Sequence, residues 1–208
     1  MNRFISFEGI DGSGKSTQID LLFTWLSKRG MDVLVVREPG GTSISERIRD
    51  ILLDNKSFEL SPISESFLFL SARSQLVSES IAPALESGKF VLCDRFIDST
   101  LAYQGYGRGL DLAKLNAMND LAIDGQIPTH TFLLDVSVKM SIFRRSLDDD
   151  DRMESLGSEF LEKVRSGYLD LRNNSIDRIT LLDSSKDKNL IFNEIKEIMC
   201  NTYGELNA

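Results

Sequence analysis

The sequence contains few cysteines, few prolines and no long apolar run. Two cysteines among 208 residues, Cys93 and Cys200, give no disulfide framework. Four prolines and 14 glycines are too few for a collagen-like or disordered chain. No apolar run exceeds four residues, so we expect no membrane span, and residues 3–7 read directly as a strand, so we expect no secretory signal. These absences together predict a cytoplasmic protein.

Positive charge is also scarce, which limits the choice of partners. There are 24 Lys and Arg residues against 32 Asp and Glu residues, a net charge of -8. Nucleic-acid polymers and anionic membranes bind positive surfaces, so we expect neither as a partner. Arginines nevertheless recur between residues 37 and 108, mostly beside Gly, Pro or aromatic residues, where a planar donor fork could meet a phosphate or a base. They are Arg37, Arg47, Arg49, Arg73, Arg95 and Arg108.

Short apolar runs alternate with longer segments of helical spacing along the chain. The predicted strands are Ile5–Phe7, Val33–Val36, Phe90–Cys93, Phe132–Leu134 and Ile179–Leu182. The predicted helices lie at about 15–29, 43–53, 61–87, 112–123, 137–146, 154–175 and 187–205. This alternation predicts an α/β fold, a doubly wound parallel sheet of about five strands with helices on both faces, in one domain spanning 1–208. Ser61, Pro62 and Glu65 are typical of a capped helix start.

Residues 9–16 (GIDGSGKS) match the phosphate-loop pattern GxxxxGK[S/T] between a predicted strand and a predicted helix. Backbone N–H groups and the helix N-terminus would hold nucleotide phosphates, Lys15 would reach the β and γ oxygens, and the Ser16 hydroxyl would bind Mg²⁺. A glycine turn with an exposed lysine is the alternative. The predicted nucleotide-binding loop consists of Gly9, Ile10, Asp11, Gly12, Ser13, Gly14, Lys15, Ser16 and Thr17.

The third predicted strand ends in Asp94 and Arg95. In an α/β sheet the C-terminal strand ends line the ligand crevice, so both side chains would face the phosphates. Asp94 suits Mg²⁺ held through water, and Arg95 suits an acceptor phosphate or the charge that develops during transfer. A structural ion pair is the alternative. The strand is not followed by Asp-x-x-Gly, and the sequence has no Asn-Lys-x-Asp, which argues against a GTPase.

Four segments carry a more specific pattern: residues 7–17 (FEGIDGSGKST), 37–42 (REPGGT), 69–73 (FLSAR) and 94–105 (DRFIDSTLAYQG). Together they closely resemble the thymidylate kinase (dTMP kinase) family of nucleoside monophosphate kinases. The resemblance implies a P-loop NTPase fold with a short lid, ATP as phosphoryl donor with Mg²⁺, dTMP as acceptor and a homodimer.

The resemblance also implies an acceptor site. The i, i+4 spacing of Phe69 and Arg73 places both on one helix face, and the resemblance implies that Phe69 stacks on thymine and that Arg73 binds its O4. Thr100 and Gln104 could reach the base edge, and Tyr103 would press against the deoxyribose. Phe69 as a core residue, Tyr103 as a surface residue and Ser99 as a helix cap are the alternatives. The predicted dTMP-binding residues are Glu38, Pro39, Phe69, Arg73, Arg95, Ser99, Thr100, Tyr103 and Gln104.

The remaining expectations concern catalysis. Asp11 resembles the family's acid that holds the acceptor 3′-hydroxyl, although it could be a turn acid. Gly12 stands where one branch of the family has a catalytic arginine, so the chain resembles the branch with lid arginines. The lid would span about 144–154, with four aspartates at 148–151, and a solvated charge run is its alternative. The lid candidates are Arg144, Arg145 and Arg152, and the predicted catalytic residues are Lys15, Arg95, Asp11, Arg145 and Arg152.

Two other functions are compatible with the phosphate loop. A kinase of the same fold could act on another monophosphate or on a deoxynucleoside. A non-catalytic nucleotide-binding regulator would bind ATP without transferring phosphate, and the acidic lid is the feature that favours it.

Overall fold

A parallel β-sheet lies at the centre of the structure, a computed structural model that describes residues 2–57, 59–145, 152–153 and 156–207. Its strands are β1 (Phe4–Glu8), β2 (Val33–Arg37), β3 (Phe90–Asp94), β4 (His130–Asp135) and β5 (Ile179–Asp183). They are arranged in the order β2-β3-β1-β4-β5, and every neighbouring pair is parallel. The central strand β1 is buried along its whole length, as expected of a strand covered on both faces. The predicted doubly wound α/β fold is confirmed.

Helices surround this sheet. They are α1 (Lys15–Ser27), α2 (Ser43–Leu53), α3 (Pro62–Leu76), α4 (Ala82–Glu86), α5 (Ile97–Thr100), α6 (Leu112–Ile123), α7 (Val138–Arg145), α8 (Gly157–Asn173) and α9 (Lys188–Thr202). A π-helical turn at Val77–Ile81 joins α3 to α4, so the predicted helix 61–87 is a continuous rod with a wider turn inside it. Pro83 lies just beyond that turn and has no N–H to donate to the preceding turn.

The segment that follows β3 was not predicted to be helical. Helix α5 continues into a second π-helical stretch, Leu101–Gly107, which packs against α8. Its glycines hide the helical pattern in the sequence but permit the close packing, because a Cβ at Gly107 would lie 2.7 Å from a ring carbon of Phe160. The segment therefore presents its side chains from a fixed position beside the C-terminal end of β3.

Apolar side chains cover both faces of the sheet. On one face, Ile19 and Leu22 of α1 and Ile195 of α9 pack against Phe7 and Phe132 of the sheet. On the other face, α3, α8 and the π-helical segments pack on the remaining strand residues in two further clusters. No helix within the described ranges combines the length and the apolar character of a membrane span.

The carboxyl ends of three neighbouring strands meet at one edge of the sheet. Phe7 of β1 is in register with Asp94 of β3, and Asp94 is in register with Arg37 of β2. The loops that leave these strand ends therefore converge, as the open α/β architecture requires of a ligand crevice. Residues 146–151 and 154 of the predicted lid lie outside the described residues.

Candidate active site

The loop between β1 and α1 wraps around a space that can hold an anion. Gly9 has φ +131°, and a Cβ there would overlap the carbonyl oxygen of Leu134. Gly14 has φ +91° and immediately precedes α1, so the backbone N–H groups of the first turn point at this space. The geometry is that of a phosphate loop, in which the helix N-terminus favours negative charge.

Lys15 is folded back into this loop. Its ammonium donates to the carbonyl oxygens of Gly9 at 3.0 Å and Ile10 at 3.2 Å, and it lies 3.6 Å from a carboxylate oxygen of Asp11. The side chain is 6% exposed, which excludes the exposed-lysine alternative. Lys15 therefore lies beside the space where phosphates would bind.

Asp94 and Ser16 form the acidic corner of the same space. The Ser16 hydroxyl donates to Asp94 Oδ2 at 3.4 Å, and the buried Asp94 Oδ1 has no hydrogen-bond partner among the described residues. A buried carboxylate oxygen without a partner is costly unless a cation or water satisfies it. No cluster of three His, Cys, Asp or Glu side chains occurs in the described part of the chain, so a cation here would also need phosphate or water oxygens. The residues present therefore fit Mg²⁺ bound together with a nucleotide.

A second cavity adjoins the phosphate loop, and all nine predicted dTMP-binding residues line it. They are Glu38, Pro39, Phe69, Arg73, Arg95, Ser99, Thr100, Tyr103 and Gln104. They come from the loop after β2, from α3 and from the segment 95–104 after β3. Phe69 is partly exposed in this cavity and is not among the side chains of the apolar core clusters.

Arg73 is more deeply engaged than the sequence indicates. It is 2% exposed, and all five of its N–H groups donate within the protein. Two of them reach Glu38 Oε2, at 2.8 and 2.6 Å, and the others reach Thr100, Asn119 and the carbonyl oxygen of Phe96. Arg73 thus lines the cavity while it fixes the side chains around it, and the predicted bond from Arg73 to a base stays a prediction.

Thr100 and Gln104 each have one polar group that their hydrogen bonds within the protein leave available to a ligand in the cavity. Thr100 Oγ1 accepts a hydrogen bond from Arg73 at 2.7 Å, so its own proton is available for donation. Gln104 Nε2 donates to Glu65 Oε1 at 3.0 Å, so its Oε1 is available as an acceptor. The cavity that Phe69 lines therefore has a donor on Thr100 and an acceptor on Gln104.

Arg95 lies at the boundary between the two cavities in a constrained conformation. Its φ of +69° is unfavourable for a residue with a Cβ, and its guanidinium donates to Asp11 at 2.5 Å and to Tyr168 at 3.2 Å. Ser99 does not cap α5; its hydroxyl donates to Glu8 at 2.6 Å, and Glu8 also accepts from Tyr168 at 2.9 Å. A residue with a strained backbone whose cation is held by Asp11 and Tyr168 is typical of a functional position.

The ionisation of these acids follows from their surroundings. Burial works to raise the pKa of Asp11, but Arg95 and Lys15 more than offset it and hold the pKa well below its usual value. Burial, and next the charge of Asp98, raise the pKa of Glu8 to about 7. Asp11 is therefore an anion at neutral pH, whereas Glu8 is partly protonated.

Four residues line both cavities: Asp11, Glu38, Arg49 and Arg95. Arg49 donates to the carbonyl oxygen of Pro39 at 2.8 Å. The sequence singled out Arg49 only as one of six arginines, and its position on α2 after the Pro-Gly-Gly turn is the signal that could have assigned it to the site. Leu53 and Met153 also line the second cavity and carry no recognisable signal in the sequence.

The predicted lid arginines have different surroundings. Arg144 donates to the carbonyl oxygens of Gly12 at 3.2 Å and Ser184 at 2.8 Å, so α7 is fastened to the phosphate loop. Arg145 is buried beside Gly12, where its charge helps to lower the pKa of Asp11. Arg152 is also buried but pairs with Glu65 at 2.8 Å, away from the phosphate loop. The catalytic role of Arg145 and Arg152 stays a prediction.

A phosphate loop and a neighbouring acceptor cavity share one charged wall, at the strand ends of a parallel α/β sheet. This arrangement suits two substrates, one that carries the phosphates to be transferred and one that receives them. The fold and the site together define a P-loop phosphotransferase.

The chain belongs to the thymidylate kinase family, whose family model matches residues 7–195. A thymidylate kinase of Thermoanaerobacter sp. (strain X514) is 44% identical over 197 residues, covering 95% of this chain and 97% of the relative. One of Caldanaerobacter subterraneus subsp. tengcongensis is 47% identical over 185 residues, covering 89% and 88%. The crystal structure of thymidylate kinase from Ehrlichia chaffeensis has a TM-score of 0.77 at 37% identity, covering 94% of this chain and 97% of that one. The family predicted from the sequence is confirmed.

Proposed function

We propose that this chain phosphorylates dTMP to dTDP with Mg²⁺ and ATP, supplying a precursor for dTTP synthesis. An oxygen of the acceptor phosphate forms a bond to the γ phosphorus, the bond from that phosphorus to the β,γ-bridging oxygen breaks, and ADP leaves. The observation that carries this proposal is the shared wall of Asp11, Glu38, Arg49 and Arg95 between the two cavities. Relatives named thymidylate kinase support it, and they give no support to another acceptor or to a regulator without activity.

The donor side consists of the phosphate loop and Lys15. Lys15 would exchange its bonds to the carbonyls of Gly9 and Ile10 for bonds to the donor phosphates, and the N–H groups of the loop would hold the same phosphates. Ser16 and Asp94 would hold Mg²⁺, which supplies positive charge to the phosphates when it is bound. Catalysis then rests on positioning and electrostatics.

The acceptor phosphate would lie against Arg95 and Arg49. Both arginines line both cavities, and Arg95 is held in place by Asp11, so its position requires little reorganisation when charge develops on the phosphoryl group. Two described lid arginines lie against the phosphate loop: Arg144, which donates to the carbonyl oxygen of Gly12, and Arg145, which is buried beside Gly12. Arg145 would add positive charge on the donor side.

The acceptor base would stack on Phe69, with its edge on Thr100 and Gln104. Thymine presents O4 as an acceptor and N3–H as a donor, which match the Thr100 proton and Gln104 Oε1. Tyr103 lines this cavity, and its hydroxyl donates to Asp11 at 3.4 Å. Its ring would press against the deoxyribose, where a ribose would carry its 2′-hydroxyl. These contacts favour a deoxyribose pyrimidine with N3–H.

The domain boundaries and the assembly are part of the same proposal. The residues 1–208 would form one kinase domain, whose lid spans about 144–154 and closes over both substrates, and its cytoplasmic location stays a prediction.

A homodimer is supported by an exposed apolar face on α3 and α6, where Ile63 is 57%, Phe67 55% and Leu121 85% exposed. Sedimentation should show a dimer that Leu121→Asp weakens, and the matched change Ile176→Asp on another surface should leave it intact; a monomeric parent protein would contradict the homodimer.

The direct test compares acceptors at a fixed concentration of Mg·ATP. We expect the highest kcat/KM with dTMP, a modest loss with dUMP, which lacks one methyl group, and large losses with dCMP, dGMP and AMP. Lys15→Ala should abolish transfer, whereas Lys28→Ala, at the exposed end of α1, should not. Another preferred monophosphate would refute the base site, and ATP binding without transfer to any acceptor would refute the enzymatic function.

A further inference from the structure

A buried carboxylate lies behind the acceptor cavity without lining it. Glu65 is in the first turn of α3, where the sequence indicates a helix start, and Ser61 does cap that helix. The Glu65 side chain, however, points inward and is 0% exposed. A buried carboxylate needs strong compensation, so its partners explain why it is there.

Glu65 joins three separate segments of the chain. Its Oε2 accepts from Arg108 at 2.8 Å and from Arg152 at 2.8 Å, and its Oε1 accepts from Gln104 at 3.0 Å and from Arg108 at 3.2 Å. Arg152 also donates to the carbonyl oxygen of Leu52 at 2.7 Å. One carboxylate of α3 thus binds the π-helical segment after β3 and Arg152 of the predicted lid.

This environment keeps Glu65 ionised. Burial works to raise the pKa of Glu65, but hydrogen bonds from Arg108 and Gln104 and the charge of Arg108 more than offset it, so the pKa lies below its usual value. An ionised carboxylate can only accept hydrogen bonds. The end of the Gln104 amide that faces Glu65 must therefore be the Nε2 donor, and Oε1 must be the end left for the cavity.

We infer that Glu65 is a specificity-determining positioning residue, which fixes the Gln104 amide so that an acceptor faces the base. The inference rests on the proposed function, because it concerns the acceptor cavity of that reaction. A pyrimidine with N3–H, thymine or uracil, can donate to Gln104 Oε1, whereas cytosine presents an unprotonated N3 there and would face acceptor with acceptor.

The substitution Glu65→Gln should reverse the orientation of the Gln104 amide, because the new side chain offers a donor where Glu65 offered an acceptor. Arg108 and Arg152 can only donate, so they take the amide oxygen of the new side chain. Its amide nitrogen then needs an acceptor, and Gln104 Oε1 is the one within reach. Gln104 must rotate its amide, which places the Nε2 donor toward the base.

The experiment measures kcat/KM for dTMP and for dCMP with the whole protein and Mg·ATP. We expect Glu65→Gln to lower the ratio of kcat/KM for dTMP to kcat/KM for dCMP by about tenfold or more. The change should come mainly from a lower kcat/KM for dTMP, because the hydrogen bond from thymine N3–H to Gln104 is replaced by two donors that face each other. A structural role alone would lower both values together and leave the ratio unchanged. Glu79→Gln is the matched control, since Glu79 accepts from Gln75 at 2.9 Å but is exposed; its ratio should not change.

Each outcome decides the inference. A folded Glu65→Gln variant whose ratio stays within about twofold of the parent overturns it. If that variant does not fold, Gln104→Met decides: a ratio about tenfold lower supports the inference, and an unchanged ratio overturns it. A parent protein that does not prefer dTMP overturns the proposed function as well, so the two failures are distinguishable.

Discussion

Replacing Arg73 by methionine should lower the free energy of unfolding of the protein as well as weaken the binding of the acceptor. The change removes five hydrogen bonds and leaves Glu38, which is 6% exposed, without the cation that compensates its charge. Breaking a buried ion pair by removing one partner typically lowers the free energy of unfolding by about 3–5 kcal/mol. We expect a loss in this range for Arg73→Met.

The loss should depend on the charge of Glu38. Burial already raises the pKa of Glu38, and Arg73 offsets part of that increase, so removing Arg73 should favour the protonated carboxyl further. The double variant Arg73→Met/Glu38→Gln should therefore regain about 1–3 kcal/mol relative to the single variant. Lowering the pH should also stabilise Arg73→Met relative to the parent, because protonation removes the unpaired charge.

Urea denaturation followed by the fluorescence of Trp25, the single tryptophan, measures these differences. Arg37→Met is the matched control: its own side chain is 48% exposed and that of its partner Glu46 is 41% exposed, so it should lose less than about 1 kcal/mol. Two results would refute the reasoning. One is a loss below about 1 kcal/mol in Arg73→Met, and the other is a double variant no more stable than the single one.

Three further predictions concern pH, packing and the cation site. The pKa of Glu8 is raised in the folded protein from about 4.5 to about 7. The stabilisation due to its bound proton is therefore complete below about pH 4.5 and is lost as the pH rises through about 7. Glu8→Gln should remove this loss in melting experiments, and parallel pH profiles of the two proteins would contradict the prediction. Gly167→Ala should lower the free energy of unfolding by about 1–3 kcal/mol, because the added Cβ would lie 2.6 Å from the ring of Tyr106, whereas Gly204→Ala, with open space around it, should be neutral in the same urea titration. Asp94→Asn should raise the Mg²⁺ concentration needed for half-maximal activity by about tenfold or more, and an unchanged requirement would remove Asp94 from the cation site.

The parts of the site that the sequence predicts are those set by local spacing. The phosphate loop follows from a glycine pattern between a strand and a helix, and the i, i+4 pair Phe69 and Arg73 follows from helix geometry; both lie where the pattern predicts. The helical segment 97–107 could not be predicted in this way, because its glycines lower its helix propensity, and one of them, Gly107, is required by contacts with Phe160 and Val164 of α8, far away in the chain.

Contacts between distant segments also decide which role a polar residue has. Glu65 has the sequence context of a helix start, and only the fold brings Arg108 and Arg152 to it. Arg73 has the sequence context of a base-binding residue, and only the fold shows that its donors are already engaged. Such pairings are separated by 23 to 87 residues and leave no periodic signal in the sequence.

We expect phosphoryl transfer to take place across the wall shared by the two cavities. Product analysis by chromatography, with and without dTMP at fixed Mg·ATP, tests it most directly. We expect equal amounts of dTDP and ADP with dTMP and very little ADP without it, since both substrates must be in place. Rapid ADP formation without an acceptor, or ATP binding without any dTDP, would contradict it.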